Sequence, residues 1–157
     1  MDVYAYIKQK ANDRVCIMDD ITKQQCLCAS LRKAARVVTK RYDEHLKPSG
    51  LRITQYSMLA NISRNPGVTV SELANILVMD QTTVTRNLQV LNKLGYLDVQ
   101  ESDNDQRVRI VYISDLGEKI FEQAKPLWTK AQSEVETELG KLGFEVFLQS
   151  LSAVANK

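Results

Sequence analysis

The sequence has few of the residues from which metal centres, disulfide frameworks and catalytic sites are built. It holds one histidine, His45, and three cysteines, Cys16, Cys26 and Cys28, all near the N-terminal end. An odd number of cysteines crowded at one end does not make a secreted disulfide framework. One imidazole beside them leaves too few ligands at zinc-site spacing. There is no Gly-rich phosphate loop, no G-x-S-x-G elbow and no H-E-x-x-H helix. Cys28 as a nucleophile would have only His45 as its base, roughly 26 Å further along the same helical stretch. An enzyme is therefore not expected, and neither a metal nor a cofactor is implied. No apolar run approaches the length of a transmembrane helix. The opening stretch MDVYAYIKQKANDRVC lacks the basic start and apolar run of a secretory signal. The expectation is a cytosolic protein with no membrane partner.

A strong charge of either sign is missing too. The 157 residues carry a net charge of +2, unevenly spread. Residues 1–50 hold 10 basic and 6 acidic side chains, residues 51–114 hold 6 and 6, and residues 115–157 hold 5 and 7. A polyelectrolyte grip on nucleic acid needs a basic excess, so any such role rests on where individual residues stand.

With only three prolines and six glycines, the breaks in the chain are informative. Thr22-Lys23-Gln24-Gln25 fits a helix capping box. A helical run follows to about Leu46, with Leu27, Leu31, Ala34, Ala35, Val38, Tyr42 and Leu46 at 3–4 spacing. It stops before Lys47-Pro48-Ser49-Gly50. At roughly 37 Å by helix rise, it exceeds what one small core requires. Thr54 can cap a second helix, Gln55 to Asn65, closed by Pro66-Gly67. Thr69-x-x-Glu72 fits a capping box for a third, Ser71 to Val78. Asp80 can cap a fourth, Gln81 to Leu94, closed by Gly95. Alternation over Tyr96–Gln100 and again over Val108–Ile113, around a polar turn, reads as a β-hairpin. Ser114-Asp115 can cap a long helix to about Leu139, which Pro126 should kink. Gly140 to Gly143 should break the chain before a last helix, Phe144 to Ala155. The fold class is mainly α with a small β-hairpin wing. Three helices followed by a hairpin make the winged helix-turn-helix plan.

The fourth helix divides into two faces. Val84, Leu88 and Leu91 fall within about 60° of one another on a helical projection. Thr82, Thr85, Arg86, Gln89 and Lys93 lie opposite, with Thr83 beside them. A helix in the major groove needs short polar groups near its N-terminus, and an Arg able to pair bidentately with guanine. In the hairpin, Arg107 is placed to enter a minor groove. Asp105 can orient it through a charge-assisted pair, and Arg109 follows. The same features also describe an ordinary solvated surface.

The stretch VTVSELANILVMDQTTVTRNLQVLNKLGYLDVQESDNDQRVRIVYISDLG resembles the core of the MarR family, winged-helix regulators of bacteria and archaea. Asp80 to Leu88 is similar to the family's recognition helix, Asp105-Gln106-Arg107 resembles the D-x-R element of its wing, and LRITQYSMLANI resembles its second helix. The likeness spans roughly residues 22–155. It implies a homodimer whose first, fifth and sixth helices interlock. Residues 1–50 and 115–157 would then serve dimerisation, and residues 51–114 would bind double-stranded DNA. Two recognition helices would face successive major grooves of a pseudo-palindromic operator, about 34 Å apart. Carried over by position, Thr82, Thr85 and Arg86 would contact bases or nearby phosphates, with Thr83. Gln81 and Gln89 are secondary candidates. Ser71 would contact phosphate, Arg107 the minor groove, and Asp105 would organise Arg107. Repression is the default, relieved by a small anionic or phenolic effector or by cysteine oxidation. The alternative is a winged helix used for protein–protein contact alone, which the neutral central segment favours.

The first helix is similar to that of the peroxide-sensing OhrR branch, whose reactive cysteine falls in register with Cys28. Tyr42 matches a tyrosine of that branch; a second tyrosine there is Arg32 in this chain. Cys26 and Cys28 point apart on a helix and cannot bridge each other, so Cys16 is the candidate resolving partner. Both helix cysteines can also be small apolar packing residues, the commonest fate of a free cysteine. For a small effector the candidate cleft residues are Tyr42, His45, Arg52, Tyr56 and Trp128, each of which also has a packing role open to it.

Overall fold

The computed structural model describes residues 26–155 apart from 103, 104 and 106, and of 141 and 142 the backbone only. The proposed cap at Thr22 and the cysteine Cys16 lie outside the described residues. The described residues fall into two units that divide between Thr39 and Lys40.

Helix α1 (Leu27–Leu46) ends in a 3₁₀ turn, Lys47–Ser49, with Gly50 in the left-handed region at φ 76°. Helix α2 spans Ile53–Arg64. Its cap differs from the Thr54 expectation. Arg52 is the N-cap residue, and its backbone N–H is taken by the Gln55 side chain at 2.9 Å. The Asp43 carboxylate, ten residues upstream, accepts from the Ile53 N–H at 2.7 Å. The cap is thus partly tertiary, which no local pattern around Thr54 reveals.

Strand β1 (Val68–Thr69) leads into α3 (Val70–Leu77), and the Thr69–Glu72 capping box forms as read from the sequence. Helix α4 (Gln81–Lys93) is capped by Asp80, whose side chain accepts from the Thr83 N–H at 2.8 Å. The hairpin consists of β2 (Leu97–Glu101) and β3 (Arg109–Ile113), antiparallel and in register from Leu97↔Ile113 to Glu101↔Arg109. β1 pairs with the other edge of β3, giving a three-stranded sheet of order β1-β3-β2. β1 was not expected, because two residues are too short to show alternation.

Helix α5 (Asp115–Leu139) is capped by Ser114 and contains Pro126 in its interior. The break before α6 (Lys141–Ala155) falls at Gly140 alone, and Gly143 is helical rather than part of a loop.

One apolar core joins the elements from the end of α1 to α5. Leu59, Ile62, Leu73, Val84, Leu91 and Val111 are almost wholly enclosed, with Leu46, Phe121 and Ala124 completing the cluster. Val84, Leu88 and Leu91 are the buried residues of α4, so the apolar stripe read from the sequence is the face that packs. That packing fixes which side of α4 meets solvent.

Candidate nucleic-acid interface

Burial of one stripe of α4 exposes the other. Gln81, Thr82, Thr85, Arg86, Gln89 and Lys93 are exposed, and Thr83 is half-buried. Their hydrogen bonds separate them further. The Thr83 hydroxyl donates to Asp80 at 2.6 Å, so it completes the cap of its own helix. The Gln81 side-chain amide donates to the Ser71 hydroxyl at 2.8 Å and ties the start of α4 to the start of α3. Among the described residues no side-chain partner is seen for Thr82, Thr85, Arg86 or Gln89, which leaves their polar groups for an external one.

Electrostatics at the helix starts run against simple anion capture. An unsatisfied helix N-terminus attracts phosphate. Here Asp80 occupies that place on α4 and Glu72 on α3. Hydrogen bonds from the Thr83 side chain and backbone hold the Asp80 carboxyl below the usual carboxylate range. The Thr69 backbone and hydroxyl do the same for Glu72. Both are carboxylates at neutral pH, so neither helix start is an open anion site.

The hairpin carries two cations, Arg107 and Arg109. The Arg107 guanidinium donates through Nε to Asp105 Oδ1 at 3.1 Å and through Nη2 to Oδ2 at 3.2 Å. The Arg107 backbone N–H also donates to Oδ1, at 3.0 Å. This is the fork expected from the sequence. It pulls the Asp105 pKa down and orients a side chain that is 90% exposed. Arg109 behaves differently. It pairs across the strands with Glu101 at 2.8 Å, a contact that follows from the Glu101↔Arg109 register. Sequence reasoning missed Glu101, because opposite charges become partners only once the register is known.

The five candidate cleft residues are each engaged in their own way. Tyr56 is buried and stacks on Trp128, with ring centroids 5.7 Å apart, and meets Phe121 at a tilt of 35° with centroids 5.1 Å apart. Burial raises its pKa. Tyr42 is buried, donates to the Gln132 side chain, and is raised for the same reason. His45 Nε2 lies 2.9 Å from Glu134, and Arg41 pairs with Glu138 at 2.8 Å, so α1 and α5 are laced by polar contacts. Arg52 is exposed at the N-cap of α2. Cys26 and Cys28 are free and exposed. Among the described residues no group of His, Cys, Asp and Glu is arranged to hold a metal ion, and no helix is long and apolar enough to cross a membrane.

A helix pair, an exposed polar helix and a two-stranded wing on one core define a winged helix-turn-helix. Comparisons with known proteins agree. The MarR family model matches residues 49–108. The HTH-type transcriptional regulator YwoH of Bacillus subtilis is 27% identical over 109 residues, covering 69% of this chain and 79% of YwoH. The M. tuberculosis transcriptional regulator MosR, solved in complex with DNA, superposes with a TM-score of 0.72 at 34% identity, covering 85% of this chain and 99% of that one. The repressor CouR bound to a 23-mer DNA duplex has the same fold, with a TM-score of 0.78 at 24% identity over 88% and 96% of the two chains. The chain belongs to the MarR family and is a transcriptional regulator, not an enzyme.

Proposed function

We propose that the protein is a cytosolic homodimer that binds a pseudo-palindromic DNA operator through α4 and the hairpin and represses transcription from it. Residues 51–114 are the DNA-binding domain, and segments 1–50 and 115–157 serve dimerisation. One observation carries this reading: α4 buries its apolar stripe completely and turns Thr82, Thr85, Arg86 and Gln89 outward with their polar groups unspent. The DNA complex of MosR, 34% identical, supports it. Arg86 and Gln89 read base edges, Thr82 and Thr85 contact bases or nearby phosphates, and Arg107 enters the minor groove as Asp105 orients it. Ser71 contacts phosphate, with Gln81 and Thr83 bracing the helix starts.

Dimerisation is supported by α6, which buries no side chain among its described residues and exposes Val146, Phe147, Leu148 and Val154. Leu27, Val37 and Val38 of α1 are exposed as well. Faces of this kind need a partner.

Selection of bound duplexes from a random pool tests the reading and returns the half-site spacing. Arg86→Ala should cost about 1–3 kcal/mol of binding and relax the preference at one base pair. Arg107→Ala should weaken binding with the dimer intact. Unchanged binding in both variants would favour a protein-contact role for the winged helix.

The signal is proposed to be oxidation at Cys28 or an anionic or phenolic effector. The exposed thiols of Cys26 and Cys28 support the first. Operator release by peroxide that persists in Cys28→Ser would remove Cys28 from that role. Mass spectrometry of the oxidised protein tests Cys16 as its partner.

A further inference from the structure

Between α4 and the sheet lies a cleft of about 360 Å³ that begins at Thr85 and Gln89 of the proposed reading face and extends to the hairpin. Its floor is apolar, formed by Leu88 of α4 with Val99 and Val111 of the hairpin. Its polar lining comes from Thr85, Gln89 and Asn92 on α4 and from Arg109 on β3. An apolar floor edged by amide donors and one cation matches a deoxyribose carrying a phosphodiester: the sugar offers C–H surface, and the phosphate accepts hydrogen bonds and charge.

The location agrees with that chemistry. A winged helix places its recognition helix in a major groove and its wing in the adjacent minor groove, and one sugar–phosphate strand separates the two grooves. We infer that the cleft between α4 and the hairpin seats this strand, with Arg109 and Asn92 contacting its phosphate. The inference rests on the DNA-binding reading above and adds to it a phosphate seat, a new contact residue, Asn92, and a role for Glu101. The glutamate holds Nη1 of Arg109 at 2.8 Å, and both side chains are about half exposed, 50% and 52%. A guanidinium has five N–H donors, so the pair leaves several for the phosphate. Glu101 meanwhile sets a negative charge beside the incoming strand. It both aims Arg109 and opposes the DNA.

This gives a difference of sign that a structural strut would not show. With the selected operator duplex, Arg109→Gln should weaken binding and reduce the slope of log K against log salt by about 0.9, the loss of one phosphate contact. Glu101→Gln, which breaks the same ion pair, should tighten binding several-fold and keep the slope. Asn92→Asp, on a different element, should weaken binding without altering the preferred sequence. A scan of single neutral methylphosphonates should find one position where substitution weakens the parent protein but not Arg109→Gln. The inference is overturned if Glu101→Gln and Arg109→Gln shift affinity in the same direction, or if no methylphosphonate effect disappears in Arg109→Gln. It is also overturned if inorganic phosphate at constant ionic strength competes through Arg109 while the salt slope of Arg109→Gln is unchanged, which would assign the cleft to free oxyanions. Retained loss of sequence preference in Arg86→Ala alongside any of these results would leave the DNA-binding reading standing and remove only the phosphate seat.

Discussion

At the tip of the hairpin, one carboxylate decides where one guanidinium points. Asp105 accepts three hydrogen bonds from Arg107, two from the side chain and one from the backbone. Both partners are solvated, so the pair adds little to folding; its value is orientation. Asp105→Asn should leave the fold intact and reduce operator affinity by a few-fold, and an added Arg107→Ala should cost little more, as a double-mutant cycle would show. The D-x-R spacing made this pair legible in the sequence, since two residues apart in a tight turn are close whatever the rest of the fold does. The Arg109–Glu101 pair was not legible in the same way. Eight positions separate its partners, and only the strand register brings them opposite. The same holds for His45 with Glu134 and Tyr42 with Gln132, where helices distant in sequence meet.

For whole elements, the start of a helix is the most readable feature. Thr69, Asp80 and Ser114 all cap as expected, because each interaction closes within three residues. Arg52 is the exception, and Asp43 explains it: part of that cap comes from another helix. The caps carry a pH dependence whose sign is fixed. Asp80 and Glu72 have lowered pKa values in the fold. Their contribution is full above the ordinary carboxylate values near about 4 and is lost as pH falls through the lowered, folded ones. Thermal melts should therefore show stability falling on the acid side of that range, with less fall in Asp80→Asn, which begins without the charge. A second element-level constraint sits at the junction of hairpin and α5. A Cβ at Gly117 would lie 2.1 Å from the Tyr96 carbonyl oxygen and 2.9 Å from an Ile113 side-chain carbon. Gly117→Ala should thus cost about 1–3 kcal/mol as overpacking, visible as a lower denaturant midpoint with an unchanged slope. Leu91→Ala, deep in the stripe that orients α4, should cost about 2–5 kcal/mol. Nothing about Gly117 marks it in the sequence, because a helical glycine declares its purpose only when the backbone it must clear is in place.

Across the whole molecule, apolar surface is distributed in a way that one copy does not use. The residues packed behind α4 form a closed core, whereas α6 and the first turns of α1 show their apolar side chains to solvent. Pattern alone made the excess visible, since helices of this length carry more apolar face than a winged domain can cover. It did not say what the cover is. A second copy is the proposed answer, and it couples assembly to recognition. One half-site contact is weak for a domain whose net charge is zero over residues 51–114, and two held at a fixed separation multiply through effective concentration. Phe147→Glu places a charge on the exposed face of α6 without touching the winged core. It should convert the dimer to a monomer in analytical ultracentrifugation and leave the melt of the winged domain nearly unchanged. Binding to an isolated half-site should survive, while the gain in affinity on joining two half-sites should vanish. A variant that stays dimeric would place the interface on α1 and α5 instead. One that becomes monomeric yet still binds the full operator with parent affinity would separate recognition from assembly and remove the two-site geometry from the proposed function.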